Sequence, residues 1–393
     1  IMDDFVYYAP TKVVFGRKAE EKVGKLIQEQ HCKKVLLHYG SGSVKRSGLL
    51  KRVQDVLDAA KISYVELGGV VPNPRLSLVR RGIELCRKEG VDFILAVGGG
   101  SVIDSSKAIG YGVANGGDVW DFYDFKREPS ACLPIGVILT LAAAGSEMSA
   151  SSVITNEDGW VKRGYSNNLC RPRFALMNPE LTMTLPAYQT ACGCVDVMMH
   201  TMERYFTHVK SMELTDGIGE ALMRTVRKNA LILRDDPNNY DARAEVMWAG
   251  SLSHNGLTGC GTEGGDWATH KMELQLSGMF DVAHGAGLAA LWGSWARYVY
   301  DERPARFAQF AVNVMDEKPG VSDGETALRG IAAVENFYRS IKMPTNLKEL
   351  GVTPTDAQID EMSHKCDIAT HGCTGVVKPL KEKDVTAIYR MAR

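Results

Sequence analysis

The chain has 393 residues, 45% of them hydrophobic, and a formal net charge of -1. That length exceeds one ordinary core and predicts two domains, while the balanced charge offers no pull toward nucleic acid or an anionic membrane surface. No apolar run of about 18 residues occurs and the N-terminus is acidic and polar (Met2-Asp3-Asp4), so neither a membrane span nor a secretory leader is expected.

In chain order, the first half alternates strand and helix. Val35–Tyr39 is an apolar run that stops at Gly40-Ser41-Gly42-Ser43, and Leu49–Ala60 has helical periodicity. Ser63–Leu67 is a second strand, Leu76–Glu89 a second helix, and Phe93–Val97 a third strand. That strand runs into Gly98-Gly99-Gly100-Ser101 and another helix; Pro134–Leu139 is the fourth strand. Alternation with short glycine turns predicts a parallel sheet covered on both faces. From Pro186 the pattern turns helical, with helices expected over Ala187–Phe206, Gly217–Leu233, Ala242–Leu257, Pro304–Met315, Thr326–Ile341 and Thr355–Cys366. The reading is an α/β domain over 1–185 followed by an all-α domain over 186–393. Nine scattered cysteines, an odd number, read as reduced thiols and predict a cytoplasmic protein.

Open α/β sheets bind ligands beyond the carboxyl ends of their strands. Gly98-Gly99-Gly100-Ser101 stands at such an end and opens a helix, where glycines admit a pyrophosphate close to free backbone N–H groups. A capping box between Ser101 and Asp104 is the purely structural alternative. At the end of the first strand no acid is present to take ribose hydroxyls. Small residues followed by Lys45 and Arg46 suit a 2′-phosphate instead, so NADP(H) is expected over NAD(H); a solvated turn is the alternative.

The helical half offers metal-ligand chemistry. Asp196 and His200 stand at i and i+4, on one face of a helix. His270 and His284 follow, each among small residues. One Asp and three His form an N/O set suited to Fe2+ or Zn2+. A lone i,i+4 pair is more often an ordinary hydrogen bond, and spacing does not decide between these. Cys192 and Cys194, two residues apart on one helix, point about 200° apart and read as packing residues.

Taken together, the motifs resemble the iron-dependent (group III) alcohol dehydrogenases, nearest their NADPH-dependent butanol dehydrogenase and broad aldehyde reductase branch. The resemblance runs from Ala9-Pro10-Thr11 to Phe15-Gly16, through Gly98-Gly99-Gly100-Ser101-Val102-Ile103-Asp104 with Lys107, Leu139-Thr140-Leu141 and Gly145-Ser146-Glu147. It continues through Asn178-Pro179-Glu180-Leu181-Thr182, Asp196 with His200, Asp266–His270, and Ala283-His284-Gly285. It implies that Asp196, His200, His270 and His284 ligate one divalent metal. It implies that Gly99, Gly100 and Ser101, in the loop closed by Asp104, hold the pyrophosphate, and that Gly40, Ser41 and Ser43 form a 2′-phosphate corner. Asn73, Thr140, Leu141, Ser149 and Lys162 fall where the family contacts the rest of the cofactor, and a homodimer is implied. The implied activity is hydride transfer between NADP(H) and short aliphatic alcohols or aldehydes, with Trp267, Met279 and Phe280 as candidate apolar walls. One departure stands out: Leu274 occupies a position where the family often has a histidine, and leucine carries no proton. The rivals are a metal lyase of the dehydroquinate synthase type, which needs several cations near the metal motifs where only Arg204 and Lys271 occur, and a non-catalytic NADPH-binding protein.

Overall fold

The structure, a computed structural model, describes residues 1–210 and 212–393. The chain forms two compact units, Ala9–Leu185, and Pro186–Arg393 together with Ile1–Tyr8. This corrects the expected division for the first eight residues. They carry no strand and are held by the second unit: the Asp3 N–H donates to the Gly261 carbonyl at 3.0 Å, and Asn255 donates to the Tyr7 hydroxyl at 3.2 Å.

The first unit is built on strands β1 (Lys12–Phe15), β2 (Val35–Gly40), β3 (Tyr64–Val70), β4 (Phe93–Gly98), β5 (Ile135–Leu139), β6 (Ser151–Asn156), β7 (Val161–Ser166) and β8 (Phe174–Met177). Six of these form a parallel sheet among the described residues, in the order β1-β8-β5-β4-β2-β3. The inner strands β2 and β4 are almost wholly apolar and buried, as strands covered on both faces must be. Helices α1 (Leu49–Ala59), α2 (Leu76–Glu89) and α3 (Gly100–Ala114) follow β2, β3 and β4. From β2 the chain leaves toward β3 at one side, and from β4 toward β5 at the other. The topological switch point therefore falls between β2 and β4, with a glycine-serine turn at the carboxyl end of each.

Two features of this unit lie outside the sequence expectation. β8 is a four-residue strand, too short to show a period. β6 and β7 pair antiparallel in a separate hairpin, whose Asp158-Gly159 turn is the signal that marks it, with Gly159 at φ 79°.

The second unit is helical: α4 (Ala187–Tyr205), α5 (Glu213–Asp235), α6 (Tyr240–His254), α7 (Ala268–Phe280), α8 (His284–Val299), α9 (Pro304–Asn313), α10 (Asp323–Ser340), α11 (Asp356–Ala369) and α12 (Glu382–Ala392). The six expected helices are present, α5 being longer than expected at both ends. α7 and α8 escape periodicity because both are buried nearly all round and show no polar stripe. Trp292 and Trp295 of α8 interlock with Phe206, Phe307 and Phe310, the Phe206 and Phe307 rings stacked at 4.2 Å. No described helix is long and apolar enough to cross a membrane.

Candidate metal centre and nucleotide cradle

Four side chains from three helices of the second unit converge. Asp196 and His200 lie one turn apart on α4, His270 is in the first turn of α7, and His284 opens α8. His200 Nδ1, His270 Nε2 and His284 Nε2 each stand 3.5 Å from Asp196 Oδ1. One ligand atom each of Asp196, His270 and His284 lies within 4.8 Å of the other two. His200 stays beside that set, its ring stacked on His254 at 4.0 Å.

Asp196, His200 and His270 are nearly fully buried, and His284 is 27% exposed in its side chain. Among the described residues, Asp196 Oδ1, His200 Nδ1 and His270 Nε2 have no hydrogen-bond partner. Buried polar atoms left unsatisfied are costly, so their gathering around Asp196 Oδ1 calls for a group that they can bind. Two ligands at about 2.1 Å from a tetrahedral ion are roughly 3.4 Å apart, close to the 3.5 Å at which each imidazole stands from Asp196 Oδ1. The donor set and its spacing fit a divalent cation.

The protonation tendencies reflect the crowding. Burial favours the neutral acid at Asp196, but the surrounding imidazoles of His200, His284 and His270 outweigh it and hold the carboxyl well below its usual range. Burial lowers His200 and His254 well below an ordinary histidine. It also disfavours the charged form of His284, yet Glu273 and Asp196 push that ring up to about 9.

The thiols stay out of this cluster. Cys194 is fully buried and Cys192 packs its sulfur on that of Met343 at 3.8 Å. Burial pushes the two up to about 12 and about 11, against thiolate formation. Leu274, one turn after His270, is a buried apolar residue. Trp267 packs its ring 5.1 Å from His270 and 6.0 Å from His200, whereas Met279 and Phe280 sit about 14 Å further along α7.

Three residues unmarked in the sequence reading join the cluster: His254, Glu203 and Glu273. Arg204 donates to His254 Nδ1 at 3.0 Å and to the His200 carbonyl at 3.0 Å, and lies over the Trp267 ring. Glu203, seven residues after Asp196, shares the helical period of Asp196 and His200, a signal open to a reader of the sequence.

In the first unit, Gly40, Ser41 and Ser43 lie at the carboxyl end of β2, Gly99, Gly100 and Ser101 at that of β4, and Thr140 and Leu141 just past β5. Gly99 is the N-cap of α3 and no side chain caps it, so the Ser101–Asp104 capping box does not form. A Cβ on Gly100 would come within 2.7 Å of the Ala144 Cβ, a clash, and one on Gly99 within 3.0 Å of that of Leu141, a tight contact, so side chains at this turn would crowd the β5 loop. Asn73, at φ 55°, follows β3 and accepts from Lys162 Nζ at 2.7 Å. Asp104 and Ser149 engage the fold itself: Asp104 accepts from Ser146 Oγ at 2.6 Å and the Val153 N–H at 3.1 Å. Ser149 Oγ accepts from Lys107, a fully buried lysine that also donates to the Ser146, Ser149 and Ser151 carbonyls.

A parallel-sheet unit with a glycine turn at its switch point, and a helical unit with a buried Asp/His cluster, are the layout of a two-part enzyme with one place suited to a nucleotide and one suited to a divalent ion. The comparisons make that specific. The family profile described as iron-containing alcohol dehydrogenase matches residues 10–179, and that of the Fe-containing alcohol dehydrogenase C-terminal region matches residues 190–393. A probable NADH-dependent butanol dehydrogenase 1 of Bacillus subtilis is 41% identical over 390 residues, 99% of each chain. The NADPH-dependent aldehyde reductase YqhD of Escherichia coli is 36% identical over 355 residues, 89% of this chain and 90% of that one. The crystal structure of NADH-dependent butanol dehydrogenase A from Thermotoga maritima superimposes with a TM-score of 0.96 at 37% identity, covering 100% of this chain and 99% of that one. The chain belongs to the iron-containing alcohol dehydrogenase family and is an oxidoreductase.

Proposed function

We propose that this enzyme moves a hydride between NADP(H) and short aliphatic alcohols or aldehydes of the butanol/butanal kind. The observation that carries the reading is the set of unsatisfied buried atoms gathered around Asp196 Oδ1. In it Asp196, His200, His270 and His284 hold one divalent ion, Fe2+ or Zn2+. When bound, the ion supplies Lewis-acid polarisation of an alcohol or carbonyl oxygen, and the nicotinamide supplies the hydride.

The chain's own groups do the rest. Gly99 and Gly100 let a pyrophosphate approach the start of α3, where the helix offers unpaired N–H groups. Trp267 walls the ion site with an apolar ring. Leu274 rules out a proton relay through its position. The lyase alternative needs cations to face a highly anionic substrate, but Arg204 is committed to backbone carbonyls, His254 and Trp267.

Preference for NADP(H) rests on the β2 turn, which has no carboxylate and where the Arg46 guanidinium folds against Gly42. Relatives named NADH-dependent weigh the other way and YqhD with it. Nine free cysteines suit a reducing cytoplasm, and the family resemblance carries a homodimer.

The test is metal analysis joined to oxidation of NADH and NADPH against a panel of aldehydes, on the native chain and on His270→Ala. The expected outcome is one bound ion and butanal reduction in the native chain, both lost in the variant, with activity down at least ~1,000-fold for several kcal/mol of lost polarisation. Full activity in a metal-free variant refutes the reading. Cofactor binding without turnover of any aldehyde by the native chain favours the non-catalytic alternative.

A further inference from the structure

The imidazoles of His270 and His284 each meet a buried carboxylate on the side away from Asp196. We propose that Glu203 and Glu273 are positioning residues, each taking the Nδ1–H of one ligand histidine and so aiming its Nε2 at the ion site. The proposal rests on the reading that Asp196, His200, His270 and His284 hold an ion.

Glu203 is almost fully buried. Its Oε1 accepts from His270 Nδ1 at 2.8 Å and from the His270 backbone N–H at 3.0 Å, and its Oε2 accepts from the Trp267 N–H at 2.9 Å. Those backbone donors belong to the start of α7, where helical N–H groups lack intrahelical partners and favour a negative charge. One carboxylate thus secures the helix start and the ring that projects from it. Glu273 is fully buried and its Oε2 bonds His284 Nδ1. Room for it depends on Gly287, where a Cβ would come within 2.6 Å of Glu273 Oε1.

The chemistry fixes the direction of each bond. With a carboxylate oxygen facing Nδ1, that nitrogen is the donor and Nε2 is the ring atom left to face the ion. Both Nε2 atoms stand 3.5 Å from Asp196 Oδ1. Metal-bound histidines are characteristically tied in this way, and the carboxylate also raises the basicity of the ring.

The arrangement has a sequence logic. α4 presents Asp196, His200 and Glu203 at i, i+4 and i+7, and α7 presents His270 and Glu273 at i and i+3. Two of the three helices contribute a ligand and also orient the ligand of the next: α4 acts on α7 through Glu203, and α7 on α8 through Glu273. His200 has a different support, the His254 ring and the Arg204 side chain.

The test uses the full chain with Glu203→Leu, Glu203→Gln, Glu273→Leu and Glu273→Gln. Zinc is the probe, titrated against a chelator, with the folded fraction followed by circular dichroism. Both Leu variants should bind zinc 10–100-fold more weakly. The Gln variants, which keep an acceptor oxygen for Nδ1–H, should recover much of that loss. In the zinc-loaded protein, proton NMR should show exchange-protected Nδ1–H signals from His270 and His284, each lost only when its own partner becomes Leu. If Glu203→Leu does not fold, the Glu273 pair decides. Folded Leu variants with native zinc affinity and unchanged Nδ1–H signals, whatever their melting temperature, overturn the proposal. A native chain without zinc affinity, or a His270→Ala variant that keeps it, fails at an earlier step and removes the ion site along with its supports.

Discussion

The two units build their candidate sites from different materials. In the α/β unit the glycine turn after β4 works through backbone: Gly99 and Gly100 expose N–H groups at the start of α3, and the residues that make it are adjacent in the chain. In the helical unit the cluster works through side chains contributed by three helices, with Asp196 and His284 separated by 88 residues. A backbone site needs local chain geometry and the absence of Cβ atoms. A side-chain site needs long-range packing accurate enough to leave polar atoms unpaired without losing the fold.

The contrast breaks hardest at Gly285. A Cβ there would overlap the Cys192 carbonyl oxygen, a backbone atom of α4 that cannot swing aside. Gly285→Val should push α8 off α4, cost about 3 kcal/mol or more of stability and abolish bound metal. Urea unfolding and metal analysis check this; a stable variant with its metal intact contradicts the packing argument.

The α/β unit has its own buried histidine, with no metal role. His38 on β2 is fully buried between the Leu67 carbonyl at 2.7 Å and Ser105 Oγ at 2.8 Å. Burial pushes it down from an ordinary 6.5 to about 4. Between those values the unfolded chain binds the proton and the folded one does not, so this stability is complete above pH 6.5 and drains away as pH falls toward 4. From pH 7 to 5 the loss should be about 2 kcal/mol. His38→Gln should show a correspondingly flatter dependence of the urea midpoint on pH; parallel curves would show that His38 titrates alike in the folded and unfolded chain.

Smaller effects separate the units. Gly100→Val should weaken nucleotide binding about tenfold, or 1.4 kcal/mol, by crowding Ala144, while bound metal stays at the native level. Fluorescence titration with NADPH reads the first and metal analysis the second. Loss of both together would mean that the two sites are not separable. Gly40→Asp should act least, weakening NADPH by a few-fold (under ~1 kcal/mol) more than NADH. Equal effects on both cofactors would count against a 2′-phosphate corner at Gly40.

Legibility followed the same divide. β2, β4 and the turns after them were readable because buried parallel strands are continuous apolar runs ending in glycine. β8 and the β6–β7 hairpin were not marked, being short or away from the main sheet. α4 was readable as a helix, and so was its Asp196–His200 pair. α7 and α8 were not, since a helix buried all round has no polar stripe. Glu203 lay on the readable period of α4, yet a carboxylate in a helix is usually a solvated charge, and only its burial against His270 shows otherwise.

From the sequence alone came the parallel-sheet and helical halves, the glycine turn and the four metal-ligand candidates, because periodicity, turn chemistry and motif order are written locally. Tertiary structure alone decided that the three imidazoles face one Asp196 oxygen, that Glu203 and Glu273 stand behind two of them, that His254 stacks on the third, and that Asp104 and Ser149 turn into the fold. The reason is physical: burial and hydrogen-bond partnership depend on packing between segments far apart in the chain, and that packing sets which polar atoms are satisfied and which are left to bind a ligand.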